Sequence, residues 1–274
     1  MVHPKAHQAG FTMIELLIAL VLASLVIGAA FNVFISQEKV YAVQDQVLEL
    51  EQNLRAGMDL LVREIRMAGF GQPSWTTINT STGINYTIQV TDGGSSPDTL
   101  NLVGCIEEPK GTLASAAGVG NTTLTLQSSS EASKLNTTTK RDIFIGDLEN
   151  AKVTGISGAT LTIDTDPDVS GNQGLLNAYP ASTSSNPMNV YLVRRITYTV
   201  DTDDNELARN ENTGAGSQPM ASNIVDLQLV QSGSFVTITL TGRTSREDPD
   251  YTDPTYGDGY RRRSLTIGIR LRNG

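Results

Sequence analysis

The sequence predicts an α+β fold in which a long N-terminal helix packs on a C-terminal antiparallel β-sheet head with an inserted small β-subdomain. Three observations lead to this prediction. An apolar segment near the N-terminus continues into a helical repeat of apolar residues. The middle of the chain is rich in Thr, Ser, Asn and Gly, which is typical of short strands joined by polar turns. The last third alternates apolar and polar residues, as half-buried strands do.

Composition limits the classes of function that the chain can serve. The chain has 274 residues, a net charge of −9 and a single cysteine, Cys105. The acidic balance argues against a nucleic-acid partner bound through its phosphates. One cysteine cannot form an intramolecular disulfide, and we interpret Cys105 as a small buried apolar residue.

The apolar N-terminal segment is long enough to cross a membrane. Residues 11–35 contain one formal charge, Glu15, and these 25 residues at a rise of about 1.5 Å span about 37 Å. The polar residues before them include Lys5, and positive charge there predicts that the leader stays cytoplasmic while the rest is translocated. No small-residue cleavage site of a secretory signal follows the segment.

The helix is predicted to run on to Met67, about 85 Å from its start at residue 11. Gly and Pro in "AGFGQP", residues 68–73, end it. Charged residues occupy most of the other faces. Apolar residues recur at spacings of three and four and form a stripe on one helical face: Val40, Val43, Val47, Leu50, Leu54, Met58, Leu61 and Ile65.

Gly10 followed by "FTMIELLIALVLASLVIG" resembles the type III signal of type IV prepilins. The resemblance implies that a prepilin peptidase cuts between Gly10 and Phe11 and that the new amine of Phe11 is N-methylated. It also implies that Glu15 pairs with the N-terminal ammonium of a neighbouring subunit during assembly, which would offset the cost of an intramembrane carboxylate. The alternative is a tolerated glutamate in a simple anchor, close enough to the interface to reach headgroups.

Two more segments are similar to minor pilins of the PilW type and to the related J-type minor pseudopilins of type II secretion. They are "LRAGMDLLVREIRMAGFGQP", residues 54–73, and "YRRRSLTIGIRLRNG", residues 260–274. Major pilins generally have a proline where this chain has Asn32, and its absence favours a minor role. Four charged residues of the first segment are expected on a solvated face, in pairs worth about 0.2–0.5 kcal/mol: Arg55, Arg63, Glu64 and Arg66.

These patterns divide the chain into a cleaved leader (1–10), the membrane and assembly half of the helix (11–35), its amphipathic half (36–67) and a β-rich head (74–274). PilW-like heads often include an extra lobe, and residues 110–180 are interpreted as an inserted β-subdomain. Its "SSSEAS" run has the alternative interpretation of a mobile loop. Strands are predicted in "INYTIQV", in "DTLNLVGC", at 122–126 and three times within 141–166.

The last third contains the clearest strands. "MNVYLVRRITYTVDTDDNELARN" predicts a strand pair around an acidic turn, and "ASNIVDLQLVQ" and "SFVTITLTGRT" predict two more strands. The alternation of Leu265, Ile267, Ile269 and Leu271 predicts a terminal strand.

Three loops are rich in carboxylates, the ligands that a hard cation prefers: residues 164–168, 201–206 and 247–259. None matches an EF-hand, and Asx turns account for most of these residues without a metal. The third loop is the strongest candidate for Ca²⁺, and no other cofactor is expected. Its four neighbouring aspartates are Asp248, Asp250, Asp253 and Asp258.

The third loop also interleaves Tyr251, Tyr256 and Tyr260 with these carboxylates, just before three arginines. One hypothesis is an exposed contact for another minor pilin or a tip adhesin, because Tyr and Arg are favoured at interface centres. The other is a long hairpin loop whose basic edge prevents strand pairing.

Enzymatic chemistry is not expected. Both histidines, His3 and His7, lie in the leader that the resemblance predicts to be removed. A histidine-based triad and a histidine zinc site are therefore excluded from the mature chain.

The resemblance predicts a minor pilin, a structural subunit that starts a type IV pilus or sits at its tip and serves cell adhesion and twitching motility. It is expected in the inner membrane, crossing once with its head in the periplasm, and then in the pilus at the cell surface. Its expected partners are the prepilin peptidase, other minor pilins, the major pilin, the inner-membrane assembly platform and a tip adhesin. The alternatives are a type II secretion minor pseudopilin and, from another class, a membrane-tethered adhesin or DNA-capture module.

Overall fold

The structure is a computed structural model that describes residues 12–71 and 87–272. The predicted cleavage and methylation positions, Gly10 and Phe11, lie outside the described residues. The chain divides into two compact units, Met1–Glu49 and Leu50–Gly274.

Helix α1 spans Met13–Met67 as one continuous helix of 55 residues, which confirms the predicted N-terminal helix. In the first unit, every large apolar side chain from Met13 to Ile35 is 48–87% exposed. The part of the chain that the structure describes contains one helix long and apolar enough to cross a membrane, and this is α1, with a window of mean hydropathy 2.6. The predicted apolar segment is thus helical, and its large apolar side chains are exposed.

In the second unit, α1 buries one face. The buried positions recur every three or four residues, as an amphipathic helix requires: Leu50, Leu54, Gly57, Met58, Leu61, Glu64 and Ile65. A Cβ on Gly57 would lie 3.2 Å from the Ala221 Cβ and 3.3 Å from Leu240 Cδ2, so the helix lies very close to the sheet at this point. The predicted apolar stripe is confirmed from Leu50 onward, whereas Val40 is 52% exposed.

The helix ends where the sequence predicts a stop. Gly69 and Gly71 have positive φ angles, and the Gly69 N–H donates to the Val103 carbonyl at 2.7 Å. A Cβ on Gly71 would lie 2.6 Å from Cys105 Sγ and 2.7 Å from the Phe144 ring. Only glycine fits at this position, because both the backbone angle and the space exclude a side chain.

The remaining elements are one short helix and fourteen strands among the described residues. In chain order they are β1 (Ile88–Thr91), β2 (Thr99–Gly104), β3 (Gly111–Thr112), β4 (Thr123–Thr125), α2 (Ser129–Ala132), β5 (Asp142–Ile145), β6 (Glu149–Ser157), β7 (Thr160–Asp164), β8 (Asn189–Leu192), β9 (Arg194–Asp201), β10 (Glu206–Asn210), β11 (Ser217–Ser222), β12 (Ile224–Ser232), β13 (Phe235–Arg243) and β14 (Arg262–Arg270). All pairings between the strands are antiparallel, which confirms the predicted α+β class.

The strands form three sheets around two main cores. A five-stranded sheet (β1-β2-β9-β10-β11) and a three-stranded sheet (β12-β13-β14) share one core with the second half of α1. A six-stranded sheet (β3-β8-β5-β6-β7-β4) has a core of its own within residues 111–192. A small third cluster contains Val103, Cys105, Phe144 and Val193, with Phe70 and Tyr191 packed against it. The predicted division of the chain into domains stays a prediction.

The predicted strand pair around an acidic turn is confirmed by β9 and β10, but two local features differ from what the sequence pattern predicts. The segment from residue 189 to 201 is not one strand, because the chain leaves the six-stranded sheet at Leu192 and enters the five-stranded sheet at Arg194. Val193 between them is buried, and its N–H donates to the Asp142 carbonyl at 2.8 Å. The "SSSEAS" run is a helical turn, capped by the Ser128 hydroxyl, which accepts from the Glu131 N–H at 3.2 Å.

One strand lacked a signal in the sequence. Strand β11 has the sequence "SQPMAS", in which only Ala221 is buried, so there is no apolar alternation to detect. A proline in its middle also argues against a strand. Its pairing with β10 tolerates the proline through a register shift between Leu207 and Ala208.

Candidate assembly site

The first turn of α1 positions the Glu15 carboxylate on its own chain. The Thr12 N–H donates to Glu15 Oε2 at 2.9 Å, and the Thr12 hydroxyl donates to the same oxygen at 2.8 Å. In return, the Glu15 N–H donates to the Thr12 hydroxyl oxygen at 3.3 Å. This reciprocal pattern is a capping box, which satisfies backbone donors that a helix start leaves open.

The capping box is a role of Glu15 that the sequence analysis missed. Its signal is present in "TMIE", because Thr followed three residues later by Glu before an apolar run marks a helix start. The cap occupies one carboxylate oxygen, Oε2. Among the described residues none donates to the second oxygen, Oε1. Glu15 is exposed, so this oxygen can accept from a group outside the chain.

The helix around Glu15 presents a continuous apolar surface. Its large apolar side chains from Met13 to Ile35 are all exposed. Glu15 is the one charged residue in this range. An exposed apolar surface of this length requires a cover of lipid or of other apolar helices. A single carboxylate in that surface therefore marks where a polar partner would be needed.

A buried ionic network joins the second half of α1 to the five-stranded sheet. Glu64, 6% exposed, accepts from the Tyr198 hydroxyl at 2.6 Å and from Arg209 Nε at 3.1 Å. Arg209 also donates to Glu211 at 2.6 Å. Arg194 links Glu211 to Glu107, which it contacts at 2.9 Å. The network connects the helix, β9, β10 and the segment after β2.

The charges of this network perturb one another. Burial and then the charge of Glu64 raise the pKa of Tyr198, so its hydroxyl remains a donor. Burial alone would raise the pKa of Glu211, but the hydrogen bond from Arg209 and the charge of Arg194 outweigh it and lower this pKa. The carboxylates of Glu64 and Glu211 thus both face guanidinium groups, Glu64 at a buried position and Glu211 at a half-buried one.

The placement of Glu64 corrects a prediction. Arg55, Arg63 and Arg66 are exposed, as predicted for a solvated face, but Glu64 is buried. Its partner Arg209 lies 145 residues away in the sequence, so spacing within the helix could not reveal the pair. A charged residue between two buried apolar positions is the one available hint.

The loop at residues 247–259 connects β13 to β14, and arginines hold it in place. Arg262 makes two hydrogen bonds to Asp258, at 2.7 and 2.6 Å, and lies 3.3 Å from Asp253. Arg261 donates to Asp248 at 2.7 Å. The Asp250 N–H donates to the Asp248 carboxylate at 3.0 Å, which forms an Asx turn.

The three tyrosines of this loop stack on arginines. Guanidinium groups lie 4.4 Å from the ring centre of Tyr251, 3.9 Å from that of Tyr256 and 4.1 Å from that of Tyr260. Tyr256 is 63% exposed, whereas Tyr251 and Tyr260 are half-buried. The loop is therefore built from internal cation–π contacts and ion pairs, and Tyr256 is its main outward aromatic surface.

These contacts bear on the predicted calcium site without testing it. The hydrogen bonds from Arg262 lower the pKa of Asp258 to about 2. The N–H of Thr255 is the largest of the causes that lower the pKa of Asp253. Guanidinium groups thus already compensate Asp248, Asp253 and Asp258, and calcium at this loop stays a prediction.

A second carboxylate group lies at the predicted acidic turn between β9 and β10. Within residues 12–71 and 87–272, Asp201, Asp204 and Glu206 are a set whose oxygens lie within 4.8 Å of one another. The two aspartates are exposed, as turn residues usually are.

The single cysteine is a core residue. Cys105 is fully buried, and it lies in the small cluster with Phe144 and Val193. Burial, and then the charge of Asp147, raise the pKa of the Cys105 thiol above its ordinary value. The thiol is therefore protonated and inaccessible, in agreement with the interpretation from the sequence.

Comparison with protein families matches residues 5–31 to the prokaryotic N-terminal methylation motif. This range includes the predicted cleavage positions and the capping box of Thr12 and Glu15. The motif and the single apolar helix indicate the class, a membrane-anchored type IV pilin or pseudopilin precursor that associates with other pilins and with assembly machinery, in a structural role. Comparisons with curated proteins and with solved structures find no significant match.

Proposed function

We propose that this protein is a minor pilin that helps to start a type IV pilus or sits at its tip. The observation that supports this most directly is the methylation motif on an exposed apolar segment of α1, residues 13–35, whose one charge is Glu15. A structural subunit needs no catalytic chemistry, and the head serves as a presented surface. The prepilin peptidase, the major pilin, other minor pilins and the inner-membrane assembly platform are the partners of this function.

The mechanism begins with cleavage between Gly10 and Phe11 and methylation of the Phe11 amine. The ammonium of Phe11 on one subunit then pairs with Glu15 of its neighbour, using Oε1, while Thr12 holds Oε2. The pair sets the axial register of adjacent helices because an unpaired carboxylate in an apolar surface is costly. The exposed apolar side chains from Met13 to Ile35 then pack on neighbouring helices, and the periplasmic head leaves with the filament.

Two variants separate the capping role of Glu15 from its charge. Glu15→Gln keeps an oxygen that can cap the helix but removes the charge, since Gln serves in a capping box as Glu does. Thr12→Ala removes the capping hydroxyl but keeps the carboxylate. We expect Glu15→Gln to be processed normally and to fall at least about tenfold in sheared filaments, as loss of a pair worth about 1.4 kcal/mol or more requires. Thr12→Ala should remain in the filaments.

Intact-mass and N-terminal peptide measurements provide the control. Expression with and without the prepilin peptidase must yield a chain that starts at methylated Phe11 only when the enzyme is present. Retention of residues 1–10, or incorporation of Glu15→Gln at the wild-type level, would contradict the proposal and favour a simple anchor. Treatment of spheroplasts with an external protease tests the orientation. The head should be digested if it lies in the periplasm.

A minor pseudopilin of type II secretion is the second candidate, because the same motif and helix serve both systems. Deletion of the gene, followed by assays of surface pili and of enzyme secretion, distinguishes the two candidates. Loss of surface pili with intact enzyme secretion supports the pilus, whereas loss of secretion with intact pili supports the pseudopilus.

A further inference from the structure

A groove with an unusual charge lies on the second unit, where the last turns of α1 meet the end of β14. Its volume is about 620 Å³. Val62, Met67 and Ile106 supply the apolar part of its wall, and Asp59 supplies one carboxylate. Its cationic part consists of four arginines: Arg63, Arg66, Arg270 and Arg272.

These four arginines differ from three arginines elsewhere in the head. Arg194, Arg209 and Arg262 are each paired with carboxylates. The four arginines of the groove are exposed, and with the described residues they form no ion pair and no hydrogen bond. Four cations against one carboxylate leave a local excess of positive charge on a chain whose net charge is −9.

A smaller hollow of about 210 Å³ continues the groove along the same two elements. It is lined by Arg55 and Leu54 of α1 and by Arg263 and Leu265 of β14, together with Glu51. We call the two hollows together the α1–β14 seam. From Arg55 to Arg63 the helix advances about 12 Å, and from Arg263 to Arg270 the strand advances about 23 Å, so the two hollows follow one another along the seam.

The seam combines a groove with the free edge of a β-strand, and an extended peptide can bind to both. Strand β14 is at the edge of the three-stranded sheet, and among the described strands it pairs only with β13. Leu265 and Ile267 on this strand are half-buried, so the core below them is incompletely covered. An edge strand beside a groove is a common place for a peptide to add as a further strand.

We propose that the α1–β14 seam binds an extended acidic segment of a partner protein, in which carboxylates alternate with aliphatic side chains. Arginine binds carboxylate in a bidentate manner, and each such pair is strong where water is partly excluded. The aliphatic side chains of the segment contact Val62, Met67 and Ile106. About seven residues in extended form cover the seam, and Asp59 and Glu51 disfavour a segment that is negative at every position.

Charge and length favour a peptide over a nucleic acid. Nucleic acids bind through many phosphate contacts along a basic tract, whereas this seam is short, contains two carboxylates and belongs to an acidic chain. Charge also argues against the chain's own remaining segments, because residues 1–10 and 72–86 contain no Asp or Glu. The inference goes beyond the proposed function, which concerns assembly through the N-terminal helix.

The test uses the full-length protein in detergent micelles and a fluorescein-labelled peptide, Glu-Val-Asp-Val-Glu-Leu-Asp, with anisotropy as the readout. We expect saturable binding that weakens as NaCl rises from about 50 to about 200 mM. The double variants Arg63→Glu/Arg66→Glu and Arg270→Glu/Arg272→Glu should each weaken binding at least tenfold. Because all four side chains are exposed, circular dichroism should show unchanged folding.

Two controls make the result decisive. Lys134→Glu/Lys152→Glu makes the same change of charge on the six-stranded part of the head and should leave binding unchanged. The amide peptide Gln-Val-Asn-Val-Gln-Leu-Asn should not bind. The proposal is overturned if wild type does not bind the acidic peptide, or if the lysine variant weakens binding equally. It is also overturned if a seven-nucleotide single-stranded DNA binds more tightly at the same arginines. Binding is measured on unassembled protein, so a failure to form pili leaves this result unaffected.

Discussion

The hydroxyl of Tyr198 donates to the carboxylate of Glu64 at 2.6 Å, and both residues are buried. This contact joins the second half of α1 to the five-stranded sheet of the head. Arg209 approaches the same carboxylate at 3.1 Å, so two donors converge on one acceptor. Docking of the second half of α1 on its sheet therefore depends on a polar centre within an apolar interface.

Removal of Glu64 should destabilise the head strongly. Glu64→Ala leaves the Tyr198 hydroxyl and the Arg209 guanidinium buried without their acceptor, and loss of one partner of a buried pair costs about 3 kcal/mol or more. Tyr198→Phe removes one hydrogen bond to a charged group and should cost about 1.5 kcal/mol. Urea unfolding of the full-length protein in detergent, followed by near-UV circular dichroism, measures both changes. Arg63→Ala on the exposed face should change stability by less than about 0.5 kcal/mol, and an equal loss there would contradict the role of the network.

A side chain at Gly57 should push α1 away from the sheet. The Cβ position already lies 3.2 Å from Ala221 and 3.3 Å from Leu207, so the larger side chain in Gly57→Leu overpacks the interface and should cost about 1–3 kcal/mol. The same unfolding measurement applies. Gly28→Leu is the matched control, because nothing lies within 4 Å of its Cβ position. Equal stability of the two variants would mean that the close approach at Gly57 is unimportant.

The pairing of Asp258 with Arg262 predicts a local dependence on pH. The hydrogen bonds from Arg262 lower the pKa of Asp258 to about 2, below its ordinary value of about 3.9. A lowered folded-state pKa stabilises the loop above the ordinary value, and this stabilisation is lost as pH falls from about 4 to about 2. A carboxyl NMR titration of Asp258 measures the midpoint directly. In Arg262→Gln the titration midpoint of Asp258 should rise toward the ordinary range. An unchanged midpoint would show that a group other than Arg262 lowers the pKa of Asp258.

Cys105 should be unreactive in the folded protein. Its thiol is fully buried and its pKa is raised, so little thiolate exists at neutral pH and reagents cannot reach it. A colorimetric disulfide reagent should label no thiol in native protein and one thiol after denaturation in urea. Ser130→Cys, at an exposed position, should add one thiol that reacts within minutes in the native state. Rapid labelling of native wild type would place Cys105 in a more open environment.

The helix and the terminal strands could be predicted because their signals are local. The spacing of Leu50, Leu54 and Leu61 reports a helical face directly, and alternation through Leu265 and Ile269 does the same for a strand. The capping box of Thr12 and Glu15 was equally local and was overlooked because the charge of Glu15 had a more specific interpretation.

What the sequence could not supply depends on partners far apart in the chain. Glu64 lies on the buried face of α1 beside Ile65, but its charge is compensated there by Arg209, which is 145 residues away in the sequence. The four arginines of the larger groove come from α1 and from the end of the chain at β14, so no short motif contains them. The change of sheet at Val193 has no signal in the sequence for another reason. The alternation of buried positions from Val190 to Tyr198 keeps its phase across it, while the strands on either side pair in different sheets.

The six-stranded sheet begins and ends on neighbouring strands. Gly111 of β3 pairs with Val190 of β8, and the Lys110 N–H also donates to the Val190 carbonyl at 2.8 Å. The chain therefore enters and leaves this part of the head about 5 Å apart, which a short link can bridge. Among the described residues, none from 111–192 belongs to the core beneath α1, so a change in the length of this part leaves the connections of that core in place. A replacement of this part would remove the ring contacts of Phe70 with Phe144 and Tyr191, and the hydrogen bond that Asn150 donates to the Gly71 carbonyl.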